Sequence, residues 1–188
     1  MILEGLITTT DADGGMHLAP MGPTVEGPEF HSFLLRPFPT STTYLNLMQT
    51  GEGVLHITDD VLLLAKAALN EAGIPPSKIA KKVNGFVLSD CCRAFEFRIR
   101  ETDSSRERVH LTAEVIHTHR IRDFFGFNRA KHAVLEAAIL ATRFHLLPKE
   151  EIDREFARLR VIVDKTAGPQ EREAMEFLES KWAVRARS

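Results

Sequence analysis

The chain has 188 residues, of which 44% are hydrophobic and 27% charged, and its formal net charge is −2. This length sustains one domain with an ample core, or one core with a helical appendage, and the composition is that of an ordinary soluble globular protein. The charge balance argues against nucleic acid as a main partner; no basic-then-apolar leader and no run of about eighteen apolar residues occurs, so a cytoplasmic protein without a membrane span is expected.

Strands come first. Residues 2–10, ILEGLITTT, are rich in apolar and β-branched types, and the DADGG turn of 11–15 leads into MHLAPMGPTV, so the two segments read as a hairpin. A third strand is predicted over 30–36. Pro37 and Pro39 stop it, Thr40, Ser41, Thr42 and Thr43 offer capping hydroxyls, and Tyr44, Leu45, Leu47 and Met48 begin a short helix that ends at Gly51. A fourth strand, VLHIT, spans 54–58. Asp59 or Asp60 can cap the following VLLLAKAAL helix, which closes near Gly73.

Further on, Phe95, Phe97 and Ile99 alternate with Glu96, Arg98 and Arg100, and after a polar turn at 103–107, Val109, Leu111, Ala113 and Val115 alternate with His110, Thr112 and Glu114. This period of two predicts a long antiparallel hairpin with one solvated face. Some six antiparallel strands with few long crossovers suggest a small barrel. Adjacent Cys91 and Cys92 suggest neither a disulfide framework nor a zinc site.

From Asn128 the period becomes helical. Ala130, Ala133, Val134, Ala137, Ala138 and Ala141 share a face that admits close approach of another element. Pro148 opens the next helix, with Ile152, Phe156, Leu159 and Val163 on one face, and Gly168 with Pro169 separates it from a last helix ending near Trp182. The mainly antiparallel β part is thus expected over 1–125, and a helical segment over 126–188.

The segment after the third strand holds the main candidate site. A helix N-terminus presents unpaired N–H groups and a partial positive charge, and Arg36 adds a fork of donors suited to phosphate oxygens. The same residues also make an ordinary, hydroxyl-rich helix cap, and they match no standard phosphate-loop pattern. Spacing alone leaves both readings standing. Asn128, Arg129 and Lys131 form a second cluster at a helix start. Positive charge there is unfavourable unless an anion is near, although Asn128 is adequate as a plain N-cap and the cations as surface charges.

The EGLITTT hairpin, the LLRPFPTSTTYLNLMQTGEGVLHITDD unit, the FEFRI strand and the helix opening FGFNRAKHAVLEAAILATR together resemble an uncharacterised prokaryotic family of FMN-binding split-barrel proteins. That family is related to the pyridoxamine-phosphate oxidase and flavin-reductase split barrels. The resemblance covers most of the chain. It implies an FMN-binding split β-barrel followed by a C-terminal helical segment, and a homodimer with FMN near the subunit interface. It further implies a phosphate cradle of Arg36, Pro37, Thr40, Ser41, Thr42 and Thr43, with the strand carrying His56 and Thr58 beside the flavin. Asn128, Arg129 and Lys131 would supply a phosphate or ring contact. The C-terminal helices would cover the barrel or strengthen the dimer.

Other constellations are weaker. His17, Ala19, Pro20 and Met21 could border the flavin ring, but a lone strand histidine is more often structural. His117 and His119 alternate on one face near His110, yet no carboxylate or cysteine completes a metal-ligand set in the sequence, so no metal is expected. Ser41 lacks a nucleophile elbow, and Asp59 with Asp60 are explained by helix capping. With FMN the expected function is a flavin-dependent oxidoreductase acting on a small molecule or electron acceptor that the sequence does not identify. A non-catalytic flavin-storage module and a split barrel holding a deazaflavin or pterin-type cofactor are the alternatives. No G-x-G-x-x-G fingerprint marks a nicotinamide site.

Overall fold

The computed structural model describes residues 1–27 and 29–187, leaving Ser188, the end of the expected helical segment, outside them. The chain forms two compact units, Met1–Thr58 with Ile74–Phe124, and Asp59–Gly73 with the residues from Phe125 onward. No helix among the described residues is long and apolar enough to cross a membrane.

The first unit contains β1 (Gly5–Thr10), β2 (Met16–Met21), β3 (Ser32–Leu35), α1 (Thr42–Thr50), β4 (Glu52–Ile57), β5 (Ser77–Ile79), β6 (Phe86–Leu88), β7 (Arg93–Asp103) and β8 (His110–Arg120). The turn between β1 and β2 is held by the Asp11 carboxylate, which accepts the N–H groups of Asp13 at 3.0 Å and Gly15 at 2.7 Å. Six strands pair antiparallel in the order β2-β1-β4-β7-β8-β3. Thr24 then bridges Ile2 and Leu34, exchanging two 2.9 Å hydrogen bonds with Leu34, and so closes the curved sheet into a barrel.

The row Ile7, Leu55 and Phe95 crosses β1, β4 and β7 on the inner face, where Phe33, Leu35, Phe97 and Leu111 complete the core. Each such side chain contributes about 2 kcal/mol by leaving water. Phe33 meets Phe97 edge-on at 5.2 Å. Gly53 is required beneath that pair, because a Cβ there would stand 2.7 Å from Phe97 Cζ. At the end of α1, Gly51 takes φ 66°, the left-handed cap expected of it.

The outer face corrects the sequence reading. Arg98 and Arg100 are exposed as alternation requires, but Glu96 is 0% exposed. A small hairpin of β5 and β6, with strands too short and too polar to show alternation, covers this face. Thr8 and Thr10 donate to the carbonyls of Phe86 and Asn84 at 2.6 and 3.0 Å. Glu52 accepts from the N–H of Asn84 at 2.8 Å. Glu96 accepts three backbone N–H groups, from Lys81 at 2.8 Å, Lys82 at 2.5 Å and Val83 at 3.1 Å, while His119 Nε2 lies 2.6 Å from its Oε1. Burial alone would raise this carboxyl; the Lys81 N–H, His119 and the Lys82 N–H together outweigh it and hold it below the usual carboxylate range.

His56 lies on the same face, fully buried. Its Nε2 accepts the Leu88 N–H at 3.1 Å, which places the ring proton on Nδ1. Nδ1 has no hydrogen-bond partner among the described residues. Burial lowers its pKa to about 3, so the ring is neutral in the folded protein.

The second unit packs α2 (Val61–Ala68), α3 (Arg129–Ala141), α4 (Lys149–Thr166) and α5 (Pro169–Arg185). Asp60 is the cap of α2, its Oδ1 accepting the Leu63 N–H at 2.9 Å. The expected division at 125/126 leaves out α2, which packs on α3 and α5 and so belongs with the helices rather than with the strands that flank it in sequence. The alanine face of α3 is buried throughout, against α4 and its Ile152, Phe156, Leu159 and Val163. Trp182 of α5 lies 4.8 Å from Phe144, and its indole N–H donates to Asp153 at 2.7 Å.

Replacing Glu96 with Ala leaves the three N–H groups of residues 81–83 without their acceptor and is expected to lower unfolding free energy by about 3 kcal/mol. Urea denaturation gives the loss, and hydrogen exchange localises it to residues 77–88. His56 provides a pH test. An unfolded chain protonates this residue near pH 6.5, whereas the folded chain resists until about 3. Unfolding therefore takes up a proton between these values, and stability falls as pH drops through that window. The melting temperature of His56→Gln is expected to fall less than wild type between pH 7 and pH 5; equal slopes would show that His56 is not buried neutral.

Candidate functional site

Of the candidate residues in the first unit, Arg36 stands half-buried where β3 ends, and Pro37 behind it is buried. Ser41 is the N-cap of α1: its Oγ accepts the Tyr44 N–H at 3.2 Å and donates to the Phe38 carbonyl at 2.8 Å. This hydroxyl is engaged in the fold. Thr43 faces the interior, while Thr40 and Thr42 are exposed. The backbone N–H groups of Thr42 and Thr43 and the Arg36 guanidinium have no partner among the described residues. Two free N–H groups at a helix N-terminus, two exposed hydroxyls and one unpaired guanidinium form an anion-competent cradle.

One further cation borders this loop. Arg108 stacks its guanidinium on Phe38, 4.1 Å from the ring centroid. The sequence reading missed Arg108 because the contact depends on β3 pairing with β8, where Leu35 stands opposite Leu111. The FPT and RERV segments carry no local signal of each other.

His56 is not available beside a ligand, contrary to the expectation, because it is enclosed and accepts from Leu88. Thr58 is buried at the end of β4. His17 is partly buried on the edge strand β2, and burial lowers its pKa. The carboxylate missing from the sequence view of His117 and His119 is Glu96: ligand-type atoms of the three lie within 4.8 Å of one another. Its two oxygens already accept three N–H groups and meet His119, so the group acts as a clamp on the 81–83 segment.

The second cluster belongs to the helical unit. Asn128 caps α3, accepting the N–H groups of Ala130 at 2.8 Å and Lys131 at 3.2 Å, and its Nδ2 donates to the Thr166 carbonyl at 3.0 Å. Lys131 donates to the Asp59 carbonyl at 2.7 Å and pairs with buried Glu171 at 2.7 Å. Burial would raise the Glu171 carboxyl, but Lys131 and the Gly168 N–H hold it below its usual value. The anion that the positive helix start requires is therefore Glu171 of the chain itself. Arg129 remains exposed, on a mainly apolar cavity of about 320 Å³ with Phe127, His132, Arg158 and Ile162.

The comparisons place this architecture. No curated protein matches the chain. Among solved structures, an FMN-bound protein of Methanosarcina mazei aligns over 96% of this chain and 94% of its own, with 19% identity and a TM-score of 0.82. An FMN-binding protein of Thermus thermophilus with bound 1-cyclohex-2-enone aligns over 63% of this chain and 70% of its own, at 11% identity and a TM-score of 0.54. A putative flavin reductase of Haemophilus somnus gives 12% identity and a TM-score of 0.54 over 62% of this chain and 79% of its own. These likenesses show the split-barrel fold with added C-terminal helices. Residues 3–122 match the model of the N-terminal domain of the protein of unknown function DUF447, and residues 128–180 match the second DUF447 model. The chain belongs to the DUF447 family.

Proposed function

We propose that the protein binds FMN through the loop between β3 and α1 and acts as a flavin-dependent oxidoreductase on a small molecule or electron acceptor. The carrying observation is the exposed N-terminus of α1, where the Thr42 and Thr43 N–H groups and Arg36 have no partner among the described residues. A phosphate group matches that donor set in charge and in number of acceptor oxygens. FMN in the Methanosarcina mazei relative and the flavin-reductase neighbours support the reading.

In this arrangement Arg36, Thr40 and Thr42 bind the phosphate, with the α1 N–H groups, and Arg108 on Phe38 adds positive potential. Ser41 and Pro37 hold the loop in shape. FMN supplies hydride and electron transfer, while the protein supplies orientation and exclusion of competing reactions. A homodimer with the flavin near the subunit interface fits the reading, and Arg129, exposed and without an ion pair among the described residues, remains a candidate contact.

Purified protein is expected to be yellow and to release FMN on heating. Arg36→Ala is expected to weaken FMN binding by about tenfold to a hundredfold, the loss of one charge-assisted contact set. Lys131→Met should lower stability, since it leaves Glu171 buried without its partner, yet leave FMN occupancy unchanged. A colourless protein that takes up no added FMN would overturn the proposal. Loss of FMN in Lys131→Met with Arg36→Ala unaffected would move the cradle to α3.

A further inference from the structure

At the other end of the β7–β8 hairpin, the first unit holds a cavity of about 550 Å³ lined by Ile57, Cys92, Arg93, Arg120, Arg122 and Phe124. Ile57, Arg93 and Arg120 form one row across β4, β7 and β8, so the two arginines stand directly opposite each other on adjacent strands. Like charges in directly opposed positions destabilise a sheet unless something answers them. Asp123 lines the cavity but makes no ion pair with Arg93 or Arg120, and Asp90 is engaged by Arg122 at 2.6 Å.

Arg93 gives an independent sign. Its Nε is buried with no hydrogen-bond partner among the described residues, and its guanidinium lies 5.6 Å from the Phe95 ring centroid. A buried guanidinium N–H without an acceptor is costly, and native folds rarely keep one without a purpose. Arg122 is held in place by Asp90 and by a 3.3 Å contact from its Nη1 to Cys92 Sγ. That thiol shares the cavity wall; its neighbour Cys91, pushed up to about 12 by burial, is unreactive.

We infer that this cavity binds the anionic group of a second small molecule, a phosphate or carboxylate held between Arg93 and Arg120. It is a site separate from the α1 cradle. Leu35 lies opposite Leu111 whereas Arg93 lies opposite Arg120, so roughly 30 Å of strand separates the two at about 3.3 Å per residue. One phosphate cannot occupy both. Under the FMN reading, on which only this assignment of roles rests, the second anion is the substrate or the electron donor.

The test uses full-length protein loaded with FMN. Melting temperature is measured with inorganic pyrophosphate, with citrate, and with chloride at matched ionic strength, for wild type, Arg93→Gln, Arg120→Gln and the double variant. Pyrophosphate or citrate is expected to raise the melting temperature of wild type above chloride, with apparent affinity about tenfold weaker in each single variant. The stronger of the two anions identifies phosphate or carboxylate chemistry. In chloride, Arg120→Gln is expected to melt at or above the wild-type temperature because it removes the opposed charge. Three outcomes overturn the site: no stabilisation beyond chloride, stabilisation that survives in the double variant, or an Arg120→Gln that melts lower in chloride. FMN content read on the same samples separates the two sites. Its loss in Arg93→Gln would make this cavity the cofactor's own and refute a second ligand, whereas Arg36→Ala tests the cradle without touching this result.

Discussion

The first unit depends on a buried carboxylate. Glu96 sits within a strand whose next outward residues, Arg98 and Arg100, are solvated, and it converts an exposed face of the barrel into an interior by binding three consecutive backbone N–H groups of the 81–83 segment. A hairpin with two three-residue strands has too little apolar surface to stay in place alone. Side-chain hydrogen bonds from Thr8, Thr10, Glu52 and His56 do the rest, each meeting a backbone group that sheet pairing leaves over. The apolar inner face and the polar outer face of the same strands are thus both structural.

Much of this architecture was legible in the residues. The DADGG turn, the Gly51 cap and the alternation through Phe95, Phe97, Leu111 and Ala113 each follow from local rules, and the structure has all of them. What alternation could not reveal was Glu96, since a period of two assigns a side but not what covers it. The β5–β6 hairpin was silent because its strands are short and its fixing partners come from three distant strands. The place of α2 among the helices was hidden for the same reason: its apolar residues show that it packs, not on what.

In the loop proposed as the cradle, the sequence offers more anion-binding residues than the fold leaves vacant. Ser41, Asn128 and Lys131 carry the chemistry of anion binding, but the chain engages each of them: Ser41 by Tyr44 and Phe38, Asn128 by its own helix and Thr166, Lys131 by Glu171. Donor type is a property of the residue, whereas vacancy is a property of the fold. Arg36, Thr40 and Thr42 pass both criteria. Arg93 and Arg120 were never singled out, because their opposition depends on a register slipped by bulges in the β7–β8 pairing.

The distribution of chromophores has a practical consequence. The chain has one tryptophan and one tyrosine. Trp182 lies in the helical unit, on Phe144 and hydrogen-bonded to Asp153, while Tyr44 lies on α1 in the strand-rich unit. Indole fluorescence excited at the red edge therefore reports the helices alone, and phenol absorption changes report the neighbourhood of the loop. Each half of the molecule carries its own intrinsic optical probe, so whether the two melt as one cooperative body can be read without a label.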